Sequence, residues 1–287
     1  PFVGDVAINN DAIATVGKLG DARGREEIDA AGLAVAPGFI NMLSWATESL
    51  IEDGLSQSDI RQGVTLEVMG EGESMGPLTE QMKRDILALQ GDIKYPMPWT
   101  TLGEYLDYLV KRGVACNVAS FVGAATVRIH EVGHADRAPT PAEQERMNAL
   151  VRRAMEEGAL GVASALIYAP GFYAKTDELI ALCKVAAEYR GLYISHLRSE
   201  GNQLLEALDE FLAIARDIQL SFLPGTNPEV PGFDVAGTSR AHDEVGGDYY
   251  DFIPVSDARL GLAIADVSGK GIPAALLMAG FRGPCLL

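Results

Sequence analysis

Three stretches of the chain carry side chains able to hold a cation or move a proton. The first is Gly70-Glu71-Gly72-Glu73, two carboxylates in a glycine-rich loop directly after the apolar run VTLEVM (64–69). The second is ISHLRSEG (194–201), where His196 ends another apolar run and Arg198, Ser199 and Glu200 follow it. The third is EVGGDYYDF (244–252) with ADVSGKG (265–271), which places Asp248 directly after a glycine pair and Asp251 and Asp266 within a few residues of glycines. Carboxylate and imidazole are zinc donors, whereas aspartates alone suit harder cations such as Mg²⁺ or Mn²⁺. Each stretch also has a plainer reading. Glycine-flanked carboxylates are ordinary solvated turn residues, and a lone histidine after an apolar strand is commonly a hydrogen-bonded core residue. The Arg198-Ser199-Glu200 cluster weighs His196 towards a site, because arginine offers a bidentate clamp for a carboxylate. Tyr168, in LIYAPG, either lines a pocket or covers a rim. His130 and His134, in RIHEVGH, lack the HExxH arrangement and read as loop polars; SGKG lacks the GxxxxGK[ST] spacing of a phosphate loop.

These residues need elements to position them. The apolar runs LAVAPGFI (33–40), VTLEVM, VACNVASFV (114–122), LGVASALI (160–167) and LYISHL (192–197) read as five strands. Helical patterns fall near 77–91, 101–112, 140–157 and 176–189. The third opens on Thr140-Pro141-Ala142-Glu143, an N-cap, a proline at the first helical position and a capping-box glutamate. Strands alternating with helices imply βα units, a parallel sheet and an α/β fold, whose chemistry sits at strand C-termini. Ahead of them, Val3–Ile8 and Ala12–Val16 read as a hairpin turned at Asn9-Asn10-Asp11. From Asp217 the chain turns strand-rich and Gly/Pro-punctuated. The expected division is 1–36, 37–216 and 217–287.

Composition narrows the function classes. The chain has 287 residues, 48% of them hydrophobic, and a net charge of -17. That excess of acid opposes binding to nucleic acid or to an anionic membrane surface. No apolar run approaches the ~18 residues that suggest a membrane span, and no charged-then-apolar leader opens the chain. Three scattered cysteines, Cys116, Cys183 and Cys285, form no disulfide framework and fit a reducing cytoplasm.

The run GFINMLSW (38–45), the stretch GALGVASALIYAPGFYAKTDELIALCKVAAEY (158–189) and above all ISHLRSEG resemble the N-acyl-D-amino-acid deacylases of the amidohydrolase superfamily. The likeness covers about residues 3–216. It implies a zinc-bearing (β/α)8-type barrel, here partial, with part of a small β-sandwich before it, and hydrolysis of a small N-acylated amino acid. By that resemblance Glu71 stands where the family has a cysteine ligand and His196 aligns with its strand-five histidine ligand. Arg198, Ser199 and Tyr168 are the implied substrate-binding residues. Leu43-Ser44-Trp45 occupies the place of the family's His-x-His, and neither leucine nor tryptophan ligates zinc. The strand-six histidine and strand-eight aspartate have no counterpart before the likeness ends. Two ligands fall short of a catalytic zinc, so turnover is not expected.

From about Ala213 to residue 280, EVGGDYYDF and DVSGKG resemble the start of the PPM-type serine/threonine phosphatases that regulate bacterial sigma-factor partners. This implies a partial α+β sandwich, manganese or magnesium held by Asp248 and Asp266 with help from the Val267 backbone, and a phosphoprotein substrate. The family's remaining aspartates have no counterpart here. The two resemblances meet inside one helical stretch, 204–224, with no linker. The chain thus reads as a composite of two incomplete hydrolases, with a non-catalytic fragment as the further alternative, prone to self-association through exposed sheet edges.

Overall fold

Glycine and proline punctuation sets where the strands begin and end. The computed structural model describes residues 3–240, 245–246, 248–256 and 259–266. The Val267 backbone, the SGKG residues and Cys285 lie outside them. The chain divides into two compact units, Pro1–Gly38 and Phe39–Leu287.

In the first unit, β1 (Asp5–Asn9) pairs antiparallel with β2 (Ala12–Gly17). Asn10 turns the hairpin at φ 57°, a conformation asparagine tolerates. The remainder of this unit, through LAVAPG, forms no strand. The expected strand over 33–40 is corrected to β3 (Phe39–Asn41). Pro37 has no N–H for a ladder, so pairing starts where Phe39 N–H donates to Gly63 O at 2.8 Å.

The second unit alternates strand and helix. After β3 come α1 (Ser49–Glu52), α2 (Gln57–Ile60), β4 (Val64–Met69), α3 (Glu80–Leu89) and α4 (Leu102–Arg112). Then follow β5 (Asn117–Ser120), β6 (Val122–Gly123), α5 (Ala124–Glu131), α6 (Pro141–Glu156) and β7 (Gly161–Ala165). The series ends with α7 (Thr176–Glu188), β8 (Leu192–His196) and α8 (Leu204–Leu220). Capping boxes at Thr101/Glu104 and Thr140/Glu143 start α4 and α6, the second with Pro141 in the first turn. All strand pairs from β3 to β8 are parallel, in the orders β3-β4-β5 and β6-β7-β8. The expected third strand is therefore two. Its ladder passes from β4 to β7 around Phe121, whose N–H donates to Met69 O while Ser120 O accepts from Leu160. A second correction is α5, which follows Gly123 at once and carries His130, expected in a loop.

Alternate strand residues Leu66, Val68, Phe121, Ala163 and Ile194 pack together on one sheet face. A larger core lies between the other face and the helices, from Leu50 and Trp99 through Met147 and Val151 to Leu179 and Ile214. Buried within the helical layer, Arg128 of α5 donates to Glu178 of α7 at 2.5 Å and to Ala135 O and Arg137 O. Helix α8 runs unbroken across residues 213–216, and beyond it β9 (Asp248–Ser256) and β10 (Arg259–Asp266) form an antiparallel hairpin. Among the described residues no helix is long and apolar enough to cross a membrane.

Candidate functional site

The loop after β4 is shaped by close backbone approaches. Gly70 adopts φ 94° with Phe121 O 2.2 Å from where a Cβ would sit, and Gly72 adopts φ 71° with the Ala165 Cβ at 2.6 Å. Only a residue without a side chain enters either position. The two glycines press the loop onto the ends of the third and fourth strand positions and turn Glu71, between them, towards β8. There His196 closes the strand, its carbonyl accepting from Leu166 N at 3.0 Å.

His196 lies between two carboxylates. Its Nδ1 is 3.5 Å from Glu71 Oε1 and its Nε2 is 3.1 Å from Glu200 Oε1. Tyr168 meets the imidazole edge-on, with ring centroids 5.5 Å apart. The fold thus brings together Glu71, His196, Tyr168 and Glu200. Glu73 is exposed.

Arg198 is committed elsewhere. Its Nε and Nη2 hold Glu210 of α8 at 2.8 and 2.9 Å, while Nη1 and Nη2 donate to Phe172 O and Ala174 O. Four of the five guanidinium N–H groups are thereby engaged, and the arginine fastens the Tyr168 loop to α8. Burial raises the Glu210 carboxyl, but the hydrogen bonds from Arg198 and Thr176 outweigh it and hold the group below its ordinary range. Ser199 Oγ accepts from Gly201 N at 3.2 Å.

A zinc with bonds of about 2.1 Å in tetrahedral geometry spaces two of its donors about 3.4 Å apart. The Glu71–His196 separation suits such a pair. Glu200 faces the opposite ring nitrogen and cannot join them on one ion. Among the described residues no group of three or more His, Cys, Asp or Glu could hold a metal. The donor set therefore does not fit a catalytic zinc, which takes three protein ligands. Leu43 and Trp45 are exposed and Ser44 is buried. Ser44 Oγ donates to Glu67 Oε2 at 2.5 Å, and Ser56 Oγ and Cys116 Sγ donate to Oε1 at 2.8 and 3.3 Å. Glu67 was not among the expected functional residues. Its signal was a lone acid inside the apolar run VTLEVM.

In the hairpin, Asp248 and Asp266 stand directly opposite one another, and both are exposed. Asp251 is occupied, accepting from Tyr249 Oη and from Phe252 N, each at 2.8 Å.

The strands from β3 to β8 pair in parallel, with polar residues gathered at their C-terminal ends. Over about three quarters of its length the chain is homologous to the D-aminoacylases, a subset of the amidohydrolases. It is 33% identical over 220 residues to the D-aminoacylase of Alcaligenes xylosoxydans xylosoxydans, covering 75% of this chain and 45% of the relative. To the N-acyl-D-aspartate deacylase of the same organism it is 34% identical over 217 residues, covering 75% and 43%. The crystal structure of a D-aminoacylase superposes with a TM-score of 0.66 at 32% identity, over 76% of this chain and 46% of that one. N-acyl-D-glutamate deacylase from Bordetella bronchiseptica, complexed with zinc and a phosphonate inhibitor, gives 0.64 at 34% identity, over 74% and 45%. The chain spans less than half the length of these relatives. Separately, 98 residues are 34% identical to the phosphoserine phosphatase RsbU of Bacillus subtilis, covering 34% of this chain and 28% of that protein. No family model matches the chain.

Proposed function

We propose that residues 37–216 are a deacylase-type amidohydrolase scaffold for small N-acylated amino acids, with Glu71 and His196 at two of its zinc-ligand positions and lacking turnover in this chain. The observation that carries the reading is the 3.5 Å approach of Glu71 Oε1 to His196 Nδ1 at the strand ends, beside Tyr168. The named activities of the relatives supply the substrate class. One Arg198 N–H and the Ser199 hydroxyl proton remain to meet a substrate carboxylate. With Leu43 and Trp45 in place of ligands and two donors among the described residues, no step is routed through a metal. The test is release of free D-amino acid from N-acetyl-D-aspartate or N-acetyl-D-glutamate by the zinc-supplemented chain. No release is expected, with zinc binding weakened by His196→Ala; zinc-dependent release would overturn the reading.

A second reading rests on the register that sets Asp248 against Asp266. Like charges directly across an antiparallel pair repel unless a cation lies between them. The 217–287 segment is in this reading part of a PPM-type phosphatase that takes manganese or magnesium and a phosphoprotein, joined to the scaffold through α8. Mn²⁺-dependent phosphate release from a phosphoserine peptide, lost in Asp248→Asn, would move the chain's activity to this segment.

A further inference from the structure

The parallel sheet has two open ends. Among the described residues β3 pairs only with β4, and β8 only with β7. An unpaired strand edge is a template for another strand, and parallel sheets are ordinarily enclosed. Both ends are also apolar. Phe39, Ile40, Met42, Leu43 and Trp45 are 48–68% exposed, and at the far end Leu192, Leu204, Leu205 and Leu208 are 41–72% exposed. Although the chain carries a net charge of -17, the edge segments FINMLSWA (39–46) and LYISH (192–196) contain no acid. β3 of one copy can therefore meet β8 of another without opposing carboxylates, the exposed Glu206 and Asp209 lying on α8 beside its leucines.

We propose that a second copy of this chain covers both ends, β3 of each copy pairing with β8 of the other around a twofold axis parallel to the strands. That symmetry keeps every strand parallel and satisfies all four edges in one closed ring. A twofold that set β3 against its own copy would make the pair antiparallel and leave β8 open. The interface is isologous, as in most homodimers. Two of the nine are aromatic, each burying 150–250 Å² when fully covered; at roughly 70–100 Å² for each half-exposed side chain, the nine offer roughly 600–900 Å² per copy. A stable interface needs about 800 Å² per partner. The pairing does not depend on the chemistry assigned to Glu71 and His196.

Sedimentation velocity on the full chain at micromolar concentration tests this. The expected species has twice the 30.6 kDa chain mass. Ile40→Lys and Leu192→Lys, each on an exposed edge residue, should each give monomers, because every β3–β8 contact contains both positions. Leu89→Lys, on exposed α3 surface, should leave the dimer intact. Thermal unfolding of each variant shows that the fold survives. A folded wild-type monomer, open-ended polymers, or a dimer that only one edge substitution breaks would each overturn the arrangement.

Discussion

Replacing Gly72 with alanine probes how the Glu71 loop is held. The added Cβ would meet the Ala165 Cβ at 2.6 Å and its N at 3.2 Å. Ordinary contact begins near 3.4 Å, and both Ala165 atoms are fixed to the backbone of β7, so no side-chain rotation relieves the overlap. Overpacking of this kind costs about 1–3 kcal/mol. The φ of 71° adds about 1–2 kcal/mol for a residue with a Cβ. A total near 3 kcal/mol corresponds to a Tm decrease of about 6–12 °C for a unit of this size. Gly201 is the control, since nothing lies within 4 Å of its Cβ position; Gly201→Ala should stay within about 0.5 kcal/mol of the parent. Differential scanning calorimetry reads both. The loop's outward shift should also separate Glu71 from His196 and weaken zinc binding by the folded variant. A Gly72→Ala chain as stable as the Gly201→Ala control would refute the packing account.

Three further outcomes follow from buried or paired groups. Glu178→Ala should lower stability by about 3–5 kcal/mol in urea unfolding, because Arg128 is left charged and buried, its Nε already without a partner among the described residues; a loss under about 1 kcal/mol would contradict this. The Glu210 carboxyl is held below its ordinary value, so its contribution is complete above about pH 4.5 and fades as pH falls through the folded value. Glu210→Gln should flatten the acid limb of a Tm-against-pH curve, and an unchanged limb counts against the Arg198 clamp. Burial first, then the neighbouring Glu67 carboxylate, pushes the Cys116 thiol up to about 11. Iodoacetamide at pH 8 should leave Cys116 unlabelled in the native chain and label it in urea, by peptide mass spectrometry.

Much of this architecture was legible where periodicity and capping agreed. The runs VTLEVM, LGVASALI and LYISHL became β4, β7 and β8, and Thr140-Pro141-Ala142-Glu143 opened α6 as its capping pattern requires. The third strand was unreadable as two, because VACNVASFV is continuously apolar and the switch of ladder partner at Phe121 is tertiary. Helix α5 was hidden for a related reason: Ala124-Ala125-Thr126-Val127 continues the apolar run without a capping residue. At the site, the glycines announced a tight loop but not its direction, which depends on Ala165 of another strand. The Arg198–Glu210 pairing spans two elements, so the arginine's local setting beside Ser199 and Glu200 pointed to substrate while its geometry points to α8. Glu67 shows the same limit. Its hydroxyl and thiol donors come from Ser44, Ser56 and Cys116, and no local pattern links them.

The measurement that bears most directly on the account is a coupled assay for free D-amino acid, run on the purified, cooperatively folded chain with zinc and N-acetyl-D-aspartate or N-acetyl-D-glutamate. With Glu71 and His196 the two donors among the described residues that can share an ion, and none from Leu43 or Trp45, release should not exceed that of buffer with zinc. Zinc-dependent release that His196→Ala abolishes would contradict it.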